Sequence, residues 1–148
     1  MDLRALTHEE MQAFLQRERI LRLGLDADGE RYLVPLGYVW LDGFLCCVTL
    51  PGRKTRMIER NPRVSFQVDD SATRGVFDWT SVTGEGSVEL VGNPARTQEI
   101  LCAFLGRFAD MPEWAARQYE DRVKAGALVF LQVRVLAMSG RAGAPPGS

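Results

Sequence analysis

Two Asp-Gly pairs, Asp28-Gly29 and Asp42-Gly43, stand between runs in which apolar and polar residues alternate, and no other feature restricts the fold as much. Asp and Gly tolerate the backbone of tight hairpin turns, so each pair implies antiparallel neighbours rather than a helical crossover. Ile20, Leu21, Leu23 and Leu25 lead into the first turn. A second strand, from Arg31 to about Trp40, places Tyr32, Val34, Leu36, Tyr38 and Trp40 on one side. A third runs from Phe44 to Leu50 and ends at Pro51-Gly52.

Beyond this meander, helices and strands alternate irregularly. Thr7-His8-Glu9-Glu10 has the spacing of a capping box and predicts a helix to about Arg17, with Met11, Phe14 and Leu15 on one face. Arg53 to Arg60 reads as a short helix stopped by Asn61-Pro62, and Val64, Phe66 and Val68 alternate as a fourth strand. Asp69 to Gly75 is loop-like, and its acidic pair Asp69-Asp70, like Asp78, reads as solvated turn residues. A long strand from Phe77 to Val91 contains Gly84 and Gly86, which suit a bulge or sharp coiling.

Asn93-Pro94 opens a helix carrying Ile100, Leu101, Phe104, Leu105 and Phe108, and a shorter helix runs from Glu113 to Lys124. The last strand spans Leu128 to Met138. Residues 1–139 therefore form a single domain, and the Gly/Ala/Pro-rich stretch 140–148 is expected to be a disordered tail. Six antiparallel strands with helices in the connections describe a mainly β protein, a small barrel with helical decoration. Trp40, Trp79 and Trp114 are expected in its core.

Charge and cysteine use exclude several classes of function. A formal net charge of −1, with both signs interspersed, offers no basic stripe for nucleic acid. Charges at Asp2 and Arg4 interrupt any secretory leader, and no apolar run approaches the roughly 20 residues of a membrane span, so a cytoplasmic location is expected. Cys46 and Cys47 are adjacent in an apolar strand, and His8 is the one histidine, so neither a metal site nor a hydrolase triad is expected. The Gly-x-Gly-x-x-Gly of a Rossmann site is absent.

The stretch Thr49-Leu50-Pro51-Gly52-Arg53-Lys54-Thr55-Arg56 carries the chemistry. Cations in the first turn of a helix oppose its macrodipole, at a cost of roughly 0.3–1 kcal/mol per charge. An anion docked there reverses that cost. Free N–H groups, Arg53, Lys54 and the hydroxyls of Thr49 and Thr55 then converge on one phosphate.

These elements, taken in order, resemble a known family. Tyr32-Leu33-Val34-Pro35-Leu36-Gly37-Tyr38-Val39-Trp40, Asp42-Gly43, Gly52-Arg53-Lys54 and Asn61-Pro62-Arg63-Val64-Ser65-Phe66 are similar to the FMN-binding split barrels. Within them, the chain resembles the short pyridoxamine 5'-phosphate oxidase-related and nitroimidazole-reductase-like flavoproteins. The resemblance implies a six-stranded antiparallel split β-barrel working as a homodimer, with FMN in clefts between the chains. It implies that Arg53 and Lys54 bind the FMN phosphate and that Val34, Pro35, Leu36, Cys47, Val48 and Thr49 line the isoalloxazine, with Ser81 near the ring's polar edge.

The activity so implied is an FMN-dependent oxidoreductase that takes electrons from NAD(P)H and reduces a small organic acceptor. No side chain stands out as a proton donor, so no catalytic residue is assigned. Two departures narrow the activity. Val48 stands where nitroimidazole reductases of this type have His, and the Lys and Arg-x-His elements of true pyridoxamine-phosphate oxidases are missing. The alternatives are a deazaflavin-dependent reductase of the same fold and a non-catalytic flavin- or haem-binding module.

Overall fold

The computed structural model describes residues 1–147; Ser148, the end of the expected tail, lies outside them. In chain order the elements are β1 (Asp2–Ala5), α1 (His8–Arg17), β2 (Ile20–Ala27), β3 (Glu30–Gly37), β4 (Val39–Leu41) and β5 (Phe44–Thr49). They continue as α2 (Arg53–Arg60), β6 (Arg63–Asp69), α3 (Ser71–Arg74), β7 (Thr80–Leu90), α4 (Pro94–Arg107), α5 (Glu113–Ala125) and β8 (Val129–Ala144). The strands form one antiparallel sheet in the order β3-β2-β6-β7-β8-β5-β4, with β1 added to β8. That sheet curls into a half-barrel around one large apolar cluster, which includes Leu21, Leu23, Leu45, Cys47, Phe66, Val68, Val82, Leu131 and Val133.

Local signals explain much of this. Both Asp-Gly turns have positive φ at both central residues, 53° and 80° at Asp28-Gly29 and 53° and 83° at Asp42-Gly43, the backbone of a type I′ hairpin. The Thr7 hydroxyl accepts from the Glu10 N–H, and the Glu10 carboxylate accepts from the Thr7 N–H, completing the capping box. Asn93 caps α4 by accepting from the Arg96 N–H. The bounds read for α1 and α2, and the start read for α4, agree with those observed.

Among the described residues, eight strands replace the expected six. The single strand read over 31–40 is two, because Tyr38 leaves the ladder between β3 and β4. Its N–H donates to the Arg19 carbonyl at 2.8 Å and its buried hydroxyl donates to the Leu15 carbonyl at 2.7 Å. The additional β1 pairs with the C-terminal half of β8, so residues 140–144 are strand and not the beginning of a disordered tail. Leu6 and Met11 crowd Gly140, where a Cβ would come within 2.7 Å of the Leu6 side chain. The glycine that reads as disorder is a packing requirement.

Two other expectations change. Asp70 is buried, not solvated: one carboxylate oxygen accepts from the Thr80 N–H at 2.7 Å and the other faces Arg17 at 3.4 Å. Asp69 accepts from Gln67 at 2.7 Å and from both the N–H and the hydroxyl of Ser71. Burial works against its charge, but those hydrogen bonds outweigh it and hold its carboxyl below the usual value. Trp114, expected in the core, is 65 % exposed on α5.

The register of β7 on β8 shifts between Glu85 and Gly86, but the unpaired residue is Leu136, so the bulge anticipated in the long strand lies in its partner β8 instead. A Cβ on Gly84 would meet the Ala137 carbonyl oxygen at 2.3 Å and the Phe66 ring at 2.7 Å; at Gly92 it would meet nothing within 4 Å. Gly84→Ala should therefore cost about 1–3 kcal/mol of stability through overpacking. Gly92→Ala should stay within about 0.5 kcal/mol of the parent chain. Urea unfolding of both variants checks this pair, and equal midpoints would show that β7 and β8 can separate freely.

Candidate functional site

The expected phosphate corner forms where β5 runs into α2. Helix α2 has no acidic residue in its first turn, and Arg53 and Lys54 are its first two residues. The Thr55 hydroxyl is occupied as a local cap, accepting from the Gly52 N–H and facing the Gly52 carbonyl, each at 2.9 Å. It is unavailable to a phosphate. Thr49 is the half-buried last residue of β5, one short turn away.

An anion does face Arg53, and the chain supplies it. The Arg53 Nε donates to Glu30 at 2.7 Å, and its guanidinium lies 4.4 Å from the centroid of the Tyr32 ring. Arg60, at the other end of α2, donates to the second Glu30 oxygen at 3.0 Å and reaches Asp28 at 3.4 Å. The Asn61 side chain adds a hydrogen bond to the Asp26 carbonyl at 2.7 Å. Helix α2 is thus strapped along its length to the β2–β3 hairpin. Arg60 and then Arg53, both donating to it, hold the Glu30 carboxyl below the usual range.

What this leaves unbonded is informative. Among the described residues, neither terminal nitrogen of Arg53 nor the Lys54 ammonium has a hydrogen-bond or ion-pair partner. Lys54 is half-buried and close enough to the buried Cys47 thiol to act on it. A partly desolvated ammonium without a counter-ion is costly, and an anionic ligand removes that cost. The donor set therefore suits a phosphate.

The expected ring-lining residues do not converge. Along β5 the side chains alternate between two apolar clusters, with Cys47 inside the barrel and Val48 under α4 beside Val39, Cys46, Ile100 and Phe104. Val34 and Leu36 are half-buried against the barrel core, whereas Pro35 is exposed on the opposite face of β3. Ser81 lies farthest away. Thr49 pairs with Val129 and Ser81 pairs with Arg141, so the two are separated by twelve residues of β8, about 40 Å along its path at ~3.3 Å per residue.

Ser81 instead belongs to the outer face of the sheet, which sequence reasoning did not single out. There a groove of about 620 Å³ is lined by Arg22, Leu33, Gln67, Thr83, Met138 and Ser139 among others. It adjoins a cavity of about 380 Å³ that includes Asp69, Val76, Trp79, Ser81 and Arg141. Gln67 lines both. Its amide nitrogen donates to Asp69 and Ser81, while its buried Oε1 has no partner among the described residues. Alternation along β6 and β7 could have flagged Gln67, Ser81 and Thr83 as a polar face, but not the groove above them.

Comparison with known proteins settles the family. The model of the pyridoxamine 5'-phosphate oxidase family matches residues 7–142. The chain belongs to that family. A FAD-binding protein of Mesorhizobium loti superposes with a TM-score of 0.79 at 27% identity, covering 97% of this chain and 100% of that one. A FAD-binding protein of Mycobacterium smegmatis gives 0.67 at 20% identity, over 94% and 96%. A Bacteroides thetaiotaomicron protein named for 5-nitroimidazole antibiotic resistance gives 0.70 at 15% identity, over 96% and 89%. A curated but uncharacterised protein of Rhizobium meliloti is 31% identical over 84 residues, 57% of this chain and 56% of its own length. The matched stretch thus spans little more than half of that relative.

The half-barrel is accordingly the split barrel of the pyridoxamine 5'-phosphate oxidase family. Among the described residues no helix is long and apolar enough to cross a membrane, and no group of three or more His, Cys, Asp or Glu side chains is placed to hold a metal.

The cysteines yield a direct check on the placement of β5. Burial pushes the Cys46 thiol up to about 11 and the Cys47 thiol higher still, whereas Cys102 is exposed on α4. At pH 8 a disulfide reagent should modify one thiol per folded chain, at Cys102, and all three after denaturation. Rapid reaction of a second thiol would place Cys46 or Cys47 in an open cleft.

Proposed function

We propose that this pyridoxamine 5'-phosphate oxidase-family chain is an FMN-dependent oxidoreductase whose Arg53 and Lys54 hold the coenzyme phosphate. The observation that carries the reading is the set of free donors at the start of α2: both terminal nitrogens of Arg53 and the ammonium of Lys54. Two cations oppose the positive end of the helix dipole, a cost that nearby negative charge offsets, and Glu30 is already shared with Arg60. When bound, the flavin supplies two-electron redox chemistry between NAD(P)H and a small organic acceptor. The chain's own part is to bind, to orient and to exclude water.

The separation of the corner from the outer face supports a homodimer. Thr49, just before Arg53, and Ser81 pair with opposite ends of β8, an arrangement that favours two copies bringing the corner and the outer face together. The exposed apolar side chains Leu33, Val76 and Phe77 border the Ser81 face and favour its being covered. FAD is the second reading, favoured by the names of the M. loti and M. smegmatis relatives. It uses the same phosphate corner.

Arg53→Ala combined with Lys54→Ala should give a folded chain that binds FMN weaker by about 3–6 kcal/mol, at ~1.5–3 per charge-assisted contact. Fluorescence titration with FMN, FAD and riboflavin reads this. Unchanged FMN affinity removes the phosphate assignment, and a preference for FAD over FMN selects the second reading. Sedimentation of the flavin-loaded protein should give the mass of two chains, and a loaded monomer would sink the shared site.

A further inference from the structure

We propose that Glu30 and Tyr32 are positioning residues, which fix the Arg53 guanidinium so that its terminal nitrogens face the coenzyme phosphate; this rests on the phosphate reading above. A guanidinium is planar and carries donors on three edges. Glu30 takes the Nε edge at 2.7 Å and the Tyr32 ring takes one face at 4.4 Å. With an edge and a face held, the direction of the remaining donors is set. They are the ones with no partner among the described residues.

Glu30 is itself immobilised. Its other oxygen accepts from Arg60 at 3.0 Å, and its residue opens β3 directly after the Asp28-Gly29 turn, opposite Ala27. Arg53 and Arg60, seven residues apart on α2, therefore grip one carboxylate from opposite ends of the helix. All three side chains remain partly open to solvent, with 48 % of Arg53, 38 % of Glu30 and 44 % of Arg60 exposed. The pairing contributes little as a salt bridge in such a setting. Its effect lies in orientation: a long side chain already ordered in the free protein need not be ordered again when the ligand arrives. Glu30 also lies near any phosphate bound at Arg53, and Arg60 offsets the repulsion this brings.

Two opposite effects of Glu30 can thus be separated. If orientation dominates, Glu30→Ala weakens FMN binding by roughly three- to tenfold, the size expected when binding must order one rotamer-rich side chain. Glu30→Gln, which keeps an oxygen for the Arg53 Nε, restores most of that loss. Tyr32→Phe, which keeps the ring face, leaves FMN affinity unchanged. Riboflavin, which has no phosphate, binds all of these variants equally.

Titration of the full-length protein with FMN and riboflavin, alongside Arg53→Ala, carries the test. Tighter FMN binding by Glu30→Ala would show that Glu30 competes with the phosphate and would overturn the proposal. A parallel loss of FMN and riboflavin would reduce the pair to a structural strap and overturn it too. Should Glu30→Ala fail to fold, Glu30→Asp shortens the reach while keeping the charge, and the same FMN-selective loss is expected. An Arg53→Ala chain that still prefers FMN to riboflavin removes the phosphate reading itself, and the positioning role falls with it.

Discussion

The close approach of β7 to β8 at Gly84 and Gly86 governs the architecture. Side chains at either position would strike the facing backbone or the Val133 side chain, and the Phe66 ring lies against Gly84. With glycines there and the unpaired Leu136 of β8 facing Glu85 and Gly86, the strand pair bends and twists sharply, as a barrel wall must. The bend lets β8 serve three neighbours. It pairs with β5 over Val129–Arg134, with β1 over Arg141–Ala144, and with β7 along nearly its whole length. Leu131 and Val133 thereby meet Leu45, Cys47 and Val82 in the interior.

Features that were readable from the chain are those whose cause is local. Asp28-Gly29 and Asp42-Gly43 dictate their turns with their own backbone preferences, and Thr7, Glu10 and Asn93 satisfy helix ends within three residues. Where the cause is distant, the reading failed. Nothing near Tyr38 announces that its N–H will pair with Arg19 and its hydroxyl with Leu15, and those two bonds split one expected strand into β3 and β4. The Gly/Ala-rich end of β8 looks disordered by composition. Small residues there instead admit Leu6, Met11 and Met1, contacts that only the folded chain supplies.

The candidate site divides along the same line. Arg53 and Lys54 stand out in the sequence because their charge opposes the dipole of the helix they open, a conflict visible in eight residues. Glu30 was not, since it arrives from a hairpin that sequence alone does not lay against α2. Its arrival changes the electrostatics without resolving them: Glu30 is shared between Arg53 and Arg60, so the corner keeps a surplus of positive charge and Lys54 has no ion-pair partner among the described residues. The ring-lining set is dispersed. A strand packed on both sides, as β5 is, sends Cys47 and Val48 into opposite cores and leaves its backbone as the surface a ligand could approach.

Two unsettled surfaces therefore remain on one chain, at opposite ends of β8. One is a cationic corner with free donors. The other is a polar and apolar face on which, among the described residues, Gln67 Oε1 is buried without a donor and Arg141 has no carboxylate partner, and on which Val76 and Phe77 stand exposed. Each is costly alone. The two-fold pairing proposed above would answer both requirements at once, because an isologous interface sets residue i of one chain against j of the other and j against i. What a single β8 holds about 40 Å apart along its path would then meet twice, so that two equivalent sites follow from the same geometry that makes either one incomplete in isolation.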